Sequence, residues 1–479
     1  EIVVVQVGQC GNQIGCRFWD VALQEYASYN KTATYDDALS SFFRNVDVRK
    51  QQDYHSLPVG SPIGTLKARA VLIDTETGVL NSLLGGPLGE LFDSRHLISD
   101  QYGAGNNWAQ GHLEYGAKYG EDILDLISRT TESCDSLQSF FLLHSLGGGT
   151  GSGLGTYTLG LLDDHFHDVY RFTTSVFPSE DDDVVTSPYN SVLALEQLSL
   201  HADCVLPIEN QALADICRRN ADKGKAPAGE GPRPEAVAGR KGKGSFDEMN
   251  ELAAQMLSHL TASMRFEGSL NVDLNEVTMN LVPFPRLKFL LSSIAPLQAT
   301  PRSGAGAGAA SVSQAVDGLF SQLLHRDSQL IKADPKHGMY LACALMARGH
   351  VPMSDLVRNV DRIKKSVSMV PWNPDGFKIG ICGTPPAGEE RALLCLSNNC
   401  CITDTFDRLE TRFNMLYRRR AMVHHYERFM NVGGGDAKAL LDSAADNLHT
   451  LIEEYQQTQD RGGGGADQGC GLGRFIPVL

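Results

Sequence analysis

Apolar positions fall in short, dense runs separated by longer mixed stretches. Ile2 to Val7 is almost continuously apolar and β-branched, the pattern of a strand buried on both faces. Gly8-Gln9-Cys10-Gly11-Asn12-Gln13-Ile14-Gly15 follows at once and opens a helix expected to reach Tyr26. A second buried strand, Ala70 to Ile73, ends at Asp74 with Glu76 just beyond, so two acids stand at its carboxyl end. A third, Phe140 to Leu143, runs through His144 and Ser145 into a cluster of glycines. Strands alternating with helical stretches predict a mainly parallel α/β sheet, whose ligands sit outside the carboxyl ends of the strands. All three strand ends therefore converge on one edge.

Helical periodicity returns further along. Met249, Leu252, Ala253, Met256, Leu257, Leu260 and Met264 recur at spacings of three and four, predicting a core helix. Phe406, Leu409, Phe413, Leu416 and Tyr417 share one face of another, read as running to His425, and a further helix covers Ala437 to Gln457. Two segments break the pattern. Lys223 to Gly244 is rich in Gly, Pro and Ala, with six basic side chains against two acidic ones, and is expected to be a disordered surface insertion. Pro301 to Ser311, with its Gly-Ala repeat, is expected to be a flexible loop, and the tail from Gly462 to fold no further.

Composition narrows the function classes. The 479 residues exceed one ordinary core, and 42% hydrophobic residues support burial over most of the length. A formal charge of -15 disfavours attraction to a phosphate backbone, so nucleic acid is not an expected partner. The eleven cysteines show no C-x-x-C spacing, which suggests neither a zinc ribbon nor a disulfide framework. No apolar stretch approaches the ~20 residues that span a bilayer, and the start lacks a signal pattern; the expectation is a soluble, cytoplasmic protein without a membrane partner.

The most informative string is Gly147-Gly148-Gly149-Thr150-Gly151-Ser152-Gly153, set between a buried strand and the amphipathic Leu154 to Phe166. Glycines at a helix start let backbone N–H groups turn toward an anion, helped by the helix dipole. No Gly-Lys-Ser or Gly-Lys-Thr follows, so this is not a Walker A loop, and no G-x-G-x-x-G follows the first strand, which disfavours a dinucleotide enzyme.

That string resembles the signature loop of the tubulin superfamily. The same family pattern appears in Gly8 to Gly15, Gly105-Asn106-Asn107-Trp108, Asn280 to Arg286 and Asp334-Pro335-Lys336-His337, in order along nearly the whole chain. The resemblance implies a parallel-sheet nucleotide-binding domain (1–245, with the basic insertion at 220–245), a core helix and smaller α+β intermediate domain (246–402), and a C-terminal helical hairpin with a flexible tail (403–479). It implies GTP or GDP with Mg2+ as ligands. Gln9, Cys10 and Gln13 match the first phosphate loop; Ser145, Gly149, Thr150 and Gly151 match the phosphate cradle. Ala104, Gly105 and Asn106 match the loop that senses the γ-phosphate, while Glu76, with Asp74 nearby, matches the magnesium side. Asn210 and Asn250 align with the asparagines that read guanine, and Phe246 with the ring that stacks on the base. Read alone, each has a plainer role: asparagines near helix starts are commonly caps, strand-end acids are commonly solvated, and Phe246 could simply begin the core stripe.

Departures from the pattern narrow the resemblance. Alpha- and beta-tubulin carry Glu where Ser187 precedes Pro188-Tyr189-Asn190, so the ribose contact is expected to be weakened or rearranged. Asp183 aligns with another residue of that loop, and the resemblance implies a ribose-side place for it, the plainer reading being a solvated turn. Ser41 to Asp47, the insertion before Phe246 and the Ser-Leu-Asn-Val-Asp-Leu-Asn-Glu string resemble the epsilon-tubulin branch, and no glutamate-rich tail is present. Glu276 stands where alpha-tubulin places a glutamate that promotes hydrolysis in its neighbour, implying a possible GTPase completed between subunits. The resemblance further implies a cytoskeletal protein of centrioles, centrosomes and basal bodies that supports doublet and triplet microtubules. Its implied partners are alpha-, beta- or delta-tubulin or itself, and centriolar proteins; a soluble GTP-binding scaffold acting with delta-tubulin is the alternative.

Overall fold

All six residues of β1 (Ile2–Val7) are buried and alternate between two cores: Val3, Val5 and Val7 face one, Ile2 and Val4 the other. A strand covered on both sides belongs in the middle of a sheet, and β1 has a parallel neighbour along each edge. The computed structural model describes residues 1–47, 56–179, 182–223, 244–297, 309–431 and 436–463.

From β1 the chain continues through α1 (Gly8–Tyr29), α2 (Asp37–Ser40), the antiparallel pair β2 (Phe43–Val46) and β3 (Thr65–Ala68), β4 (Ala70–Asp74), α3 (Thr77–Leu84) and β5 (Leu97–Ser99). Next come α4 (Gly116–Glu132), β6 (Ser139–Ser145), α5 (Gly155–His165), β7 (Tyr170–Phe177), α6 (Ser187–His201), β8 (Cys204–Glu209) and α7 (Asn210–Lys223). The main sheet has the order β5-β4-β1-β6-β7-β8, and every pairing is parallel. Strand order runs outward from β1 in both directions, so the switch point lies between β1 and β6, where an open α/β sheet presents a crevice at its carboxyl edge.

A long central helix, α8 (Gly244–Arg265), joins this sheet to a second one. Its 22 residues extend about 33 Å, and the predicted stripe from Met249 to Leu260 is buried. After it come α9 (Leu274–Leu281), β9 (Leu290–Ala295), α10 (Ala309–Leu323), β10 (Tyr340–Gly349), α11 (Met353–Ser366), β11 (Phe377–Cys382) and β12 (Arg391–Asn399). These strands form a mixed sheet of order β11-β10-β12-β9. The chain then enters α12 (Thr403–Tyr417), α13 (Val423–Met430) and α14 (Ala437–Gly463). Phe406, Phe413, Tyr426, Leu441 and Tyr455 from these last helices share one core with Val3, Val5 and Val7 of β1.

A buried ionic joint ties the two halves together. Glu25 of α1 accepts from Arg265 of α8 and from Arg348 of β10, each at 2.8 Å, and from the Ser258 hydroxyl at 2.8 Å. Burial alone would raise the Glu25 carboxyl, but the two guanidinium groups outweigh it and hold the pKa at about 2.

Several element ends differ from the sequence expectation. α1 continues to Tyr29 and α14 to Gly463, and β6 takes in His144 and Ser145. The helix expected from Phe406 to His425 is two helices, because the chain turns after Tyr417 and Met422 takes a left-handed φ of 60° before α13 begins. Three arginines in a row carry no apolar spacing to continue the stripe, so packing ends α12 there. At the basic insertion, α7 persists to Lys223 and α8 starts at Gly244, with Asn220 donating to the Leu297 carbonyl at 2.7 Å. Residues 224–243 lie outside the described residues, as do 301–308 and the tail beyond 463; α10 takes up the chain from Ala309. No helix among the described residues is long and apolar enough to cross a membrane.

Candidate functional site

The carboxyl ends of β1, β4 and β6 place three loops side by side. Gly8 leaves β1 with φ +74° and lies so close to Gly151 that a Cβ would stand 3.0 Å from its N; only glycine holds this backbone approach cheaply. Thr75, just past β4, shares a 2.5 Å hydrogen bond with Thr150. The turn leaving β6 enters a short π-helical segment, Thr150–Leu154, before α5 begins, a geometry that recurs at functional sites. Gly149 meets the loop at 104–107: a Cβ on it would lie 2.6 Å from both the Ala104 carbonyl and the Asn107 N. Thus the loops that carry Gln9 and Cys10, Thr150 and Gly151, Ser145, and Ala104 to Asn106 lie together at the switch point.

His144 fixes the floor of this group. Its buried ring bonds the Gly151 carbonyl at 2.9 Å and the Ser175 hydroxyl at 2.9 Å, and burial pushes its pKa down to about 4, so the ring is neutral. Nδ1–H donates to Gly151 and Nε2 accepts from Ser175. Asn12 lies beneath the first loop, donating to the Gly8 and Ile73 carbonyls at 3.0 and 3.1 Å. Burial raises the Cys10 thiol to about 12, which makes it a packing group rather than a nucleophile.

On the acidic side, Asp74 is buried with Oδ2 lacking any hydrogen-bond partner among the described residues. Burial, reinforced by Glu76, lifts its pKa to about 6. Glu76 is exposed, its carboxylate against Gly103 at the head of the 104–107 loop. A bare buried carboxylate oxygen with a second acid nearby fits a hydrated Mg2+, which binds through few protein ligands and keeps several waters.

The other end of the crevice is set by α1, α7 and α8. Gln13 and Arg17 stand one turn apart on α1, and Arg17 approaches Asp247 of α8 at 3.6 Å. Phe246, beside Asp247, is 61% exposed, unlike the buried stripe it precedes; it does not serve as core. Asn250 follows one turn later on α8, and Asn210 opens α7 directly after β8; both are half-buried.

The acidic loop and Glu276 complete the predicted set. Asp183 is exposed, whereas its neighbour Asp182 is the carboxylate drawn inward: it accepts from the buried Ser187 hydroxyl at 3.1 Å, and both flank Gly147. Ser187 therefore braces the acidic loop. Glu276 sits in the first turn of α9, past the end of α8 remote from Phe246, and its half-exposed carboxylate pairs with Lys378 at 2.7 Å. It takes no part in this chain's own crevice.

The family model for the tubulin/FtsZ GTPase domain matches residues 1–218, and that for the tubulin C-terminal domain matches 285–411. The tubulin epsilon chains of Mus musculus and Homo sapiens are each 50% identical to this chain, over 463 and 471 residues, covering 95% of it and 95% and 96% of their own lengths. The chain belongs to the tubulin family. The tubulin beta chain of Porphyra purpurea is 35% identical over 465 residues, 95% of this chain and 92% of its own. The tubulin GTPase match takes in the whole parallel sheet and all three loops, and guanine-nucleotide binding is the property of that domain. Tubulins are cytoskeletal proteins that associate with other tubulins. Within this tubulin, sequence reasoning passed over Asn12, Thr75, Asp182 and Asn190. Asn12, Thr75 and Asp182 sat beside chosen residues and Asn190 closed the Pro-Tyr-Asn string, but the role of each depends on a partner that no local pattern shows.

Proposed function

We propose that this tubulin-family chain holds GTP or GDP with Mg2+ at the β1/β6 switch point and serves as a structural component of centrioles and basal bodies, supporting doublet and triplet microtubules. One observation carries the nucleotide reading. The buried Asp74 Oδ2 lacks a hydrogen-bond partner among the described residues, although buried polar groups of folded proteins are generally satisfied. It stands at the end of β4 next to Thr75, which bonds Thr150 of the glycine turn. Gln9, Cys10, Gln13 and the turn at Gly149 to Gly151 hold the phosphates, and Ala104 to Asn106 meet the γ-phosphate. Asp74 and Glu76 hold Mg2+ through water; the ion neutralises phosphate charge. Asn210 and Asn250 read guanine, Phe246 stacks on it, and the Asp182–Asp183 turn lies on the ribose side. Residues 1–245, 246–402 and 403–479 then act as nucleotide, intermediate and C-terminal units.

Asn250→Ala tests the assignment: guanine-nucleotide affinity should fall about 10-fold or more through loss of paired base contacts, with the melting temperature of the nucleotide-free protein unchanged. Unaltered affinity refutes this role for Asn250. For the cellular role, a tagged chain should concentrate at centrioles; uniform decoration of cytoplasmic microtubules opposes it. The similarity to tubulin epsilon chains supports this reading. Sedimentation with GTP separates a polymer subunit from the alternative, a soluble scaffold working with delta-tubulin.

A further inference from the structure

We propose that Tyr426, acting through Asn190, is a positioning residue for the nucleotide loops, so that α13 both restrains and reports the nucleotide they hold. The inference rests on the nucleotide reading above and extends it to an element beyond both matched domains, which end at residues 218 and 411.

Asn190 is fully buried in α6 and spends its whole hydrogen-bonding capacity on three separate segments. Its Nδ2 donates to the Asn106 carbonyl at 2.8 Å and the Gly147 carbonyl at 2.9 Å. Its Oδ1 accepts from the Trp108 N–H at 2.8 Å and from the Tyr426 hydroxyl at 2.5 Å. A side-chain amide has two donors and two acceptor lone pairs, so nothing is left over. Gly147 opens the glycine run, Asn106 and Trp108 bracket the end of the γ-phosphate loop, and Tyr426 belongs to α13. Two more bonds parallel this junction: Asn107 Nδ2 donates to the His425 carbonyl at 2.9 Å, and the Tyr189 hydroxyl donates to the Ala421 carbonyl at 2.9 Å.

The backbone on both sides of the junction is held in a costly conformation. Asn106 has φ 52° and Met422 φ 60°, left-handed values that non-glycine residues keep only where surroundings over-determine them. Between the γ-phosphate loop and α13 lies a cavity of about 390 Å³ lined by Gly105, Asn106, Thr186, Met422, Tyr426 and Phe429 among others. The loop is thus joined to α13 by polar bonds across a space that packing does not fill. A phosphate drawn to the N–H groups of 104–106 moves Asn106, and Asn190 passes that displacement to Tyr426; by linkage, loosening Tyr426 loosens the nucleotide.

The test uses the full chain loaded with a fluorescent guanine nucleotide. Tyr426→Phe removes one hydroxyl and keeps the buried ring. Release should quicken about 5-fold, the worth of one buried hydrogen bond, whereas Glu427→Gln, on the exposed side of α13, should match wild type. Amide exchange across residues 423–430 should differ between GTP- and GDP-loaded wild type, and that difference should vanish in Tyr426→Phe. A merely structural tyrosine would lower the melting temperature without changing release. Wild-type release from Tyr426→Phe overturns the proposal, and so does identical exchange in the two loaded wild-type forms, a comparison that needs no variant to fold. Wild-type protein that retains no guanine nucleotide overturns the nucleotide reading and this inference together; retention with unaltered release overturns this inference alone.

Discussion

At Asp74 the fold alone is unfavourable. Its carboxyl is buried at the end of β4 with one oxygen unsatisfied, and its pKa rises from the ordinary 3.8 to about 6. A carboxyl whose pKa rises on folding binds its proton more tightly in the native state. Stability of the ligand-free protein therefore falls as pH climbs from 3.8 to about 6 and then levels. Asp74→Asn removes that penalty, so ligand-free urea melts should show a gain of up to about 3 kcal/mol at pH 7 that shrinks toward pH 4. Nucleotide retention in the same variant should lose its dependence on Mg2+. A variant less stable at pH 7 than wild type would show that Asp74 serves the fold rather than a ligand.

Among the elements, α1, α8 and β10 are held together by Glu25, Arg265 and Arg348. The lowered Glu25 pKa means this joint contributes fully above the usual carboxylate pKa of 4.5 and fails as pH falls toward about 2. Glu25→Gln leaves two buried guanidinium groups facing each other without a counter-charge, and should cost about 3–5 kcal/mol in urea melts at neutral pH. A loss below 1 kcal/mol would place the joint's strength in its neutral hydrogen bonds. The sequence showed the elements this joint connects but not the joint itself. β1, β4, β6 and the stripe of α8 were legible because each repeats a local period, and the glycine loops because they sit directly at strand ends. Asn190, Ser187 and the turn between α12 and α13 were not. A residue that bridges segments 84 or 236 positions apart leaves no local pattern, and Arg418 to Arg420 look as compatible with helix as with turn. Asp182 was passed over because nothing local marks it until it is seen to meet Ser187.

For the whole molecule, the crevice and Glu276 lie toward opposite ends of α8, so the hydrolytic role the resemblance implies for Glu276 concerns a neighbour's nucleotide and not this chain's own. Glu276→Ala should leave GTP affinity unchanged and cost no more than about 1 kcal/mol of stability, since its pair with Lys378 is partly exposed. In assemblies with tubulin partners it should slow single-turnover phosphate release by roughly 10²–10⁴-fold, the worth of a positioned base. Equal rates alone and in every mixture would leave Glu276 a surface acid. All of this depends on what occupies the crevice at the β1/β6 switch point. The direct measurement is extraction and chromatographic identification of the ligand carried by the purified full chain. A guanine nucleotide, near one per chain and lost on Asn250→Ala, is the predicted result; an adenine dinucleotide, or no nucleotide at all, would contradict the account.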